Sequence, residues 1–110
     1  MQSEDALQTQ CVQWFHNTYP NLRGLLFSVP NGGKRTPTEA RRLKYTGLTP
    51  GIPDLIFAYH GEATFIELKT LTGTLSQEQI GIHGLLRKEA FKVHVARSLD
   101  EFKSVITSLI

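Results

Sequence analysis

Two hydrophobic rhythms run along the chain, and the switches between them mark out eight elements. Near the start, Leu7, Cys11, Trp14, Phe15 and Thr18 recur at helical spacing, and Pro20 closes the segment. Ser3 stands where an N-cap belongs, with Glu4 and Asp5 placed favourably against the positive end of the helix dipole. Leu25-Leu26-Phe27-Ser28-Val29 reads as a strand that stops at the loop signal Pro30-Asn31-Gly32-Gly33. Thr36-Pro37-Thr38-Glu39 has the pattern of a capping box with proline at the first helical position. The short basic helix it opens is predicted to end near Gly47.

Thr49-Pro50-Gly51-Ile52-Pro53 is a turn-rich approach to a second strand, Asp54-Leu55-Ile56-Phe57-Ala58. His60-Gly61-Glu62 turns the chain into a third strand over residues 63–69, and the two predict an antiparallel hairpin. Ser76-Gln77-Glu78-Gln79 is a second capping-box pattern, opening a helix whose apolar positions are Ile80, Leu85 and Leu86. A strand over residues 91–96 follows, and Ser98 caps a final helix carrying Phe102, Val105, Ile106 and Leu109. The order α-β-α-β-β-α-β-α predicts an α/β fold with a mixed sheet flanked by helices.

At 110 residues, with no internal repeat or low-complexity tract, the expectation is one domain spanning residues 1–110. A chain of this size buries roughly two thirds of its unfolded surface, enough to fold without disulfides. Its single cysteine, Cys11, has no partner within the chain, which points to a reducing compartment. No apolar run approaches the ~18 residues of a membrane span, and the polar start is not a signal peptide. The expected location is the cytoplasm of a bacterium or of a phage-infected host. The net charge of +2 is too small to indicate a nucleic-acid partner, but its distribution is uneven. Lys34, Arg35, Arg41, Arg42 and Lys44 face only Glu39, five positive charges against one negative within eleven residues. Such a patch could track phosphates, or be a solvated helix face.

The chemistry concentrates on the predicted hairpin. Asp54 opens one strand, and Glu67 and Lys69 lie two apart on the other, so their side chains share a face. Glu67 sits among Phe65, Ile66 and Leu68, and a buried carboxylate is costly unless it is paired or holds a cation. An isolated Glu-x-Lys is most simply an ion pair. With Asp54 on the adjacent strand the set changes meaning: Asp54, Glu67 and the Leu68 carbonyl could form a partial oxygen shell for Mg²⁺. Lys69 would then point at a scissile phosphate, orienting water or neutralising charge in the transition state.

Gly51-Ile52-Pro53-Asp54-Leu55-Ile56-Phe57, followed by Phe65-Ile66-Glu67-Leu68-Lys69-Thr70, resembles the paired motifs of the PD-(D/E)xK nuclease superfamily. Leu75-Ser76-Gln77-Glu78-Gln79 is similar to the glutamine motif of its VRR-NUC branch, as is the Ser28-Val29-Pro30-Asn31-Gly32-Gly33 loop. The resemblance implies a restriction-endonuclease-like core and Mg²⁺- or Mn²⁺-dependent hydrolysis of phosphodiesters. Stand-alone members of this branch are homodimers that cut four-way DNA junctions, so branched DNA is the implied partner and Holliday junction resolution the implied activity. It also implies that Gln79 lies beside the metal, where otherwise it is the third residue of a capping box. Glu4 resembles the acidic residue on the family's first helix that reaches the metal site, against a plain helix-dipole role. Asn31 could contact substrate or simply suit its turn, and Lys34, Arg35, Arg41 and Arg42 would contact phosphates. One departure is Ala90, where family members often carry glycine before the last strand.

The remaining candidates recede. His16, His60, His83 and His94 share no metal-ligand spacing and read as surface or hydrogen-bonded histidines. Cys11 and Trp14 read as packing residues, and no phosphate loop ending in Lys-Ser/Thr is present. The competing expectations are a non-catalytic DNA-binding or assembly module of the same fold, and a nuclease for flaps, nicks or other DNA structures.

Overall fold

A computed structural model describes residues 2–30 and 35–110. Helix α1 (Glu4–Thr18) opens at Ser3, whose hydroxyl accepts from the Ala6 amide at 3.1 Å, and closes at Tyr19 ahead of a 3₁₀ turn over Pro20–Leu22. Strand β1 (Leu26–Ser28) is shorter at both ends than the apolar run suggested. Next come helix α2 (Pro37–Tyr45), strands β2 (Leu55–Tyr59) and β3 (Glu62–Leu68), helix α3 (Gln77–Lys88), strand β4 (Lys92–Ala96) and helix α4 (Leu99–Leu109). This is the mixed α/β order expected from the sequence, with the 3₁₀ turn added.

The strands form one sheet in the order β1-β2-β3-β4. β1–β2 and β2–β3 are antiparallel; β3–β4 is parallel, with α3 as the crossover that a parallel pair requires. Pairing places Leu55 opposite Ile66, and Leu68 beside Ala96. Because side chains alternate along a strand, Leu26, Leu55, Phe57, Ile66 and Leu68 share one face. There they join Leu7, Cys11 and Phe15 of α1 and Phe102 and Ile106 of α4 in the buried core. Cys11 is fully enclosed, and burial pushes its thiol up to about 11, so it packs as a small apolar side chain. Trp14 meets Phe102 edge to face, a packing role.

The same alternation sends Asp54, Glu67 and Lys69 to the opposite face, toward α3. This helix does not dock as its sequence suggested. Of the apolar positions Ile80, Leu85 and Leu86, the first two are exposed and Leu86 is half-buried, and the buried residue of the helix is His83. The physical reason is polar: with Gln79 and His83 turned toward a buried carboxyl group, the rotation about the helix axis is fixed, which leaves Ile82 and Leu86 half-buried beside His83 and turns Ile80 and Leu85 outward.

Candidate active site

The site is built where β2 begins and β3 ends. Gly51 adopts φ 90° in the turn before Asp54, a left-handed conformation that glycine takes without strain. A side chain there would also collide with the Glu78 carbonyl, so the turn and the first turn of α3 touch backbone to backbone. From this turn Asp54 reaches across to β3, where its Oδ2 accepts from the Leu68 amide at 2.8 Å. That bond ties the two motif segments together at the side-chain level, beyond the strand ladder.

Glu67 is buried, with 1% of its surface exposed. Gln79 Nε2 donates to its Oε2 at 3.3 Å, and His83 Nε2 lies 3.2 Å from its Oε1. Gln79 also completes a reciprocal capping box, its Oε1 accepting from the Ser76 amide at 2.9 Å while Ser76 Oγ accepts from the Gln79 amide. The cap and the contact with Glu67 therefore coexist on one side chain. Lys69 is buried just beyond the strand, with its Nζ 3.9 Å from Glu4 Oε2. Glu4 thus reaches from the first turn of α1 to the lysine of the motif, beyond what a helix-dipole carboxylate requires.

Burial pushes the Glu67 carboxyl up to about 9; the hydrogen bond and charge of Asp54, and the charge of Glu4, act in the same direction, while Lys69 opposes them. In the protein alone Glu67 therefore keeps its proton at neutral pH and shares it with Asp54. His83 is pushed below its ordinary value by burial, then by Arg87, and is neutral, so its contact with Glu67 is a hydrogen bond and not an ion pair.

Two carboxyl groups that coexist by sharing a proton are the arrangement a divalent cation relieves, since two positive charges can replace that proton. Among the described residues no three His, Cys, Asp or Glu side chains converge to hold a metal ion. Two carboxylates and a main-chain carbonyl make an incomplete set, the kind Mg²⁺ accepts when waters and substrate phosphate complete its shell. A set made of oxygens alone would suit Mg²⁺ or Mn²⁺ better than Zn²⁺.

Sequence reasoning missed His83, read there as one of four unremarkable histidines. Its signal was position: four residues after Gln79, it lies on the same helix face. Of the residues expected to contact phosphate, Asn31 and Lys34 lie outside the described residues. Arg35 is half-buried just before α2, and Arg41 and Arg42 are exposed on it. No residue of α2 is buried. No helix among the described residues is long and apolar enough to cross a membrane.

A mixed sheet carrying an acid on one strand and Glu-x-Lys on its neighbour defines the PD-(D/E)xK class of nuclease fold. Residues 2–100 match the VRR-NUC domain, so the chain belongs to the VRR-NUC family, a branch of that superfamily. A solved "VRR_NUC domain protein" superposes with a TM-score of 0.82 at 28% identity, covering 100% of this chain and 89% of the other. A second solved structure, "VRR_NUC domain", gives a TM-score of 0.61 at 19% identity over 93% of this chain and 96% of the other, a likeness of fold. No curated protein matches the chain.

Proposed function

We propose that this chain is a Mg²⁺-dependent, structure-selective DNA endonuclease, and that it resolves four-way junctions as a homodimer. The observation that carries the catalytic part is the buried Glu67 carboxyl, set against half-buried Asp54 and beside Lys69. Asp54, Glu67 and the Leu68 carbonyl would hold Mg²⁺ or Mn²⁺, which supplies Lewis-acid polarisation of the phosphodiester and an activated water. Lys69 neutralises charge gathering on the phosphoryl oxygens, and Glu4 keeps the ammonium group in place. Gln79 orients Glu67. Arg35, Arg41 and Arg42, together with Asn31 and Lys34, would hold the DNA backbone.

The dimer reading rests on geometry and surface. One site cuts one strand, whereas resolving a four-way junction takes two symmetric cuts, which a twofold pair of sites provides. Leu25, Phe27 and Tyr45 are large apolar side chains left exposed, available to a second protomer. Incubating the protein with branched, nicked, flapped and linear DNAs, with and without Mg²⁺, tests the activity; four-way junctions should be cut in preference to duplex. Cleavage that persists in EDTA would refute the metal mechanism. Light scattering should report near twice the 12.4 kDa chain mass. A monomer that cuts flaps and spares junctions would remove the resolvase reading and leave the nuclease.

A further inference from the structure

The buried residue of α3 is a histidine, while Ile80 and Leu85 of the same helix are exposed and Ile82 and Leu86 are half-buried. A packing role alone would be served by an apolar side chain. The imidazole is 1% exposed and so is its partner, and the 3.2 Å contact joins Nε2 to Glu67 Oε1. The other carboxyl oxygen is taken by Gln79, one helical turn earlier. One helix face thus supplies a separate nitrogen to each oxygen of the same buried carboxyl group.

The second ring nitrogen decides the tautomer. His83 Nδ1 is buried and has no hydrogen-bond partner among the described residues. An N–H there would be an unsatisfied buried donor, whereas with the proton on Nε2 the hydrogen points at Glu67 and Nδ1 is left as a bare lone pair, the smaller loss. Burial keeps the ring neutral, consistent with one proton and one acceptor.

We propose that His83 is a positioning residue, whose Nε2–H fixes the rotamer in which Glu67 stands beside Asp54 so that the pair can receive a divalent cation. The inference rests on reading Asp54 and Glu67 as a cation site. A carboxylate free to rotate would have to be ordered by the cation at the moment of binding; one held at both oxygens keeps its remaining lone pairs aimed without that loss.

The test uses Mn²⁺ as probe and the full chain without DNA, with binding followed by isothermal titration calorimetry. The decisive variants are His83→Gln and His83→Asn. The glutamine amide can reach the place of Nε2, whereas the asparagine amide falls short, at the place of Nδ1. The Asn variant should bind Mn²⁺ about 10–100-fold more weakly, the usual effect of losing a partner that orients a metal ligand. The Gln variant should stay close to wild type, though both amides disturb packing similarly and should melt at similar temperatures. Equal Mn²⁺ affinity in the two would overturn the positioning role. Wild-type chain that binds no Mn²⁺ would overturn the cation site itself, and the inference with it. Should both variants fail to fold, long-range ¹H–¹⁵N spectra of the wild-type imidazole decide: a proton on Nε2 and resonances that shift on adding Mg²⁺ support the role, and a proton on Nδ1 overturns it.

Discussion

Helices α2 and α3 share a hydroxyl N-cap and a C-terminal motif and differ in what lies between. Each opens on a hydroxyl N-cap, Thr36 or Ser76, that accepts an amide from the third helical residue. Each closes on a Schellman motif, with Leu48 N–H donating to the Leu43 carbonyl in one and Phe91 N–H to the Leu86 carbonyl in the other. Between these ends α2 buries nothing and presents Arg41, Arg42 and Lys44, while α3 buries His83 and gives Gln79 to Glu67. End signals determine that a helix forms and where it stops. Its use depends on what the middle turns touch, and the exposed cations of one helix and the buried polar contacts of the other underlie the two roles proposed above.

Separating those two roles by mutation is the strongest way to break the comparison. Asp54→Asn on the α3 side should abolish cleavage in Mg²⁺ and leave DNA affinity nearly unchanged, as single-turnover assays and anisotropy titrations would show. Lys69→Met should lower the turnover rate by roughly two to three orders of magnitude, the range for losing one electrostatic donor, with little change in melting temperature. A Lys69→Met protein that cuts at the wild-type rate would reduce Lys69 to a structural partner of Glu4 and Glu67.

On the α2 side, alanine at both Arg41 and Arg42 should weaken binding to all DNAs alike. The slope of log affinity against log salt should flatten by nearly one unit for each phosphate that is no longer neutralised. The rate at saturating DNA should hold. An unchanged salt slope would mean that this face is only solvated, and the contrast between the helices would lose its functional half.

Glu67 supplies a smaller and purely thermodynamic effect. Its native value of about 9 lies above the ordinary 4.5, so between the two the folded chain binds the extra proton. The stability that Glu67 contributes to the metal-free protein is therefore full below the ordinary value and is lost as pH rises toward the native one. Thermal melts in EDTA should show a melting temperature that falls steadily from about pH 5 to about pH 8. Asp54→Asn should flatten this fall, because it removes the neighbouring charge, and a slope of opposite sign would contradict the proton-sharing pair.

The smallest effect sharpens the likeness of the helix ends. Gly47 holds φ 111° after α2, and Ala90 holds φ 68° at the matching position after α3. Ala90→Gly should raise stability, and Gly47→Ala lower it, each by about 1 kcal/mol in urea melts. The left-handed turn at Ala90 gives a physical reason for glycine to be common there among family members.

Much of the architecture was legible because its signals are local. Ser3, Thr36, Ser76 and Ser98 cap the helices they were expected to cap, and the hairpin pairing follows from alternation around His60-Gly61. Thr36-Pro37-Thr38-Glu39 proved to be half a box: Thr36 holds the amide of Glu39, and the reciprocal bond that completes the box at Ser76 is not made here. Asp54, Glu67 and Lys69 could be placed on one face by counting. The rotation of α3 was only partly legible: of the apolar positions Ile80, Leu85 and Leu86, Leu86 alone turns inward, because the rotation is set by a polar contact sixteen residues apart in sequence, between His83 and Glu67. Nor was the collision awaiting any side chain at Gly51, which depends on where Glu78 passes in space.

Gln79 ties the cap of α3 to the carboxyl group of Glu67 through a single amide. Helix ends are among the first parts of a protein to open transiently, at a small fraction of the global unfolding free energy. When the first turn of α3 frays, the same event releases Ser76 and lets go of one oxygen of Glu67. The fluctuation of a helix terminus is thus also a fluctuation of the acid pair, and the protection of the Ser76 and Gln79 amides against hydrogen exchange becomes a clock for how often the site is assembled.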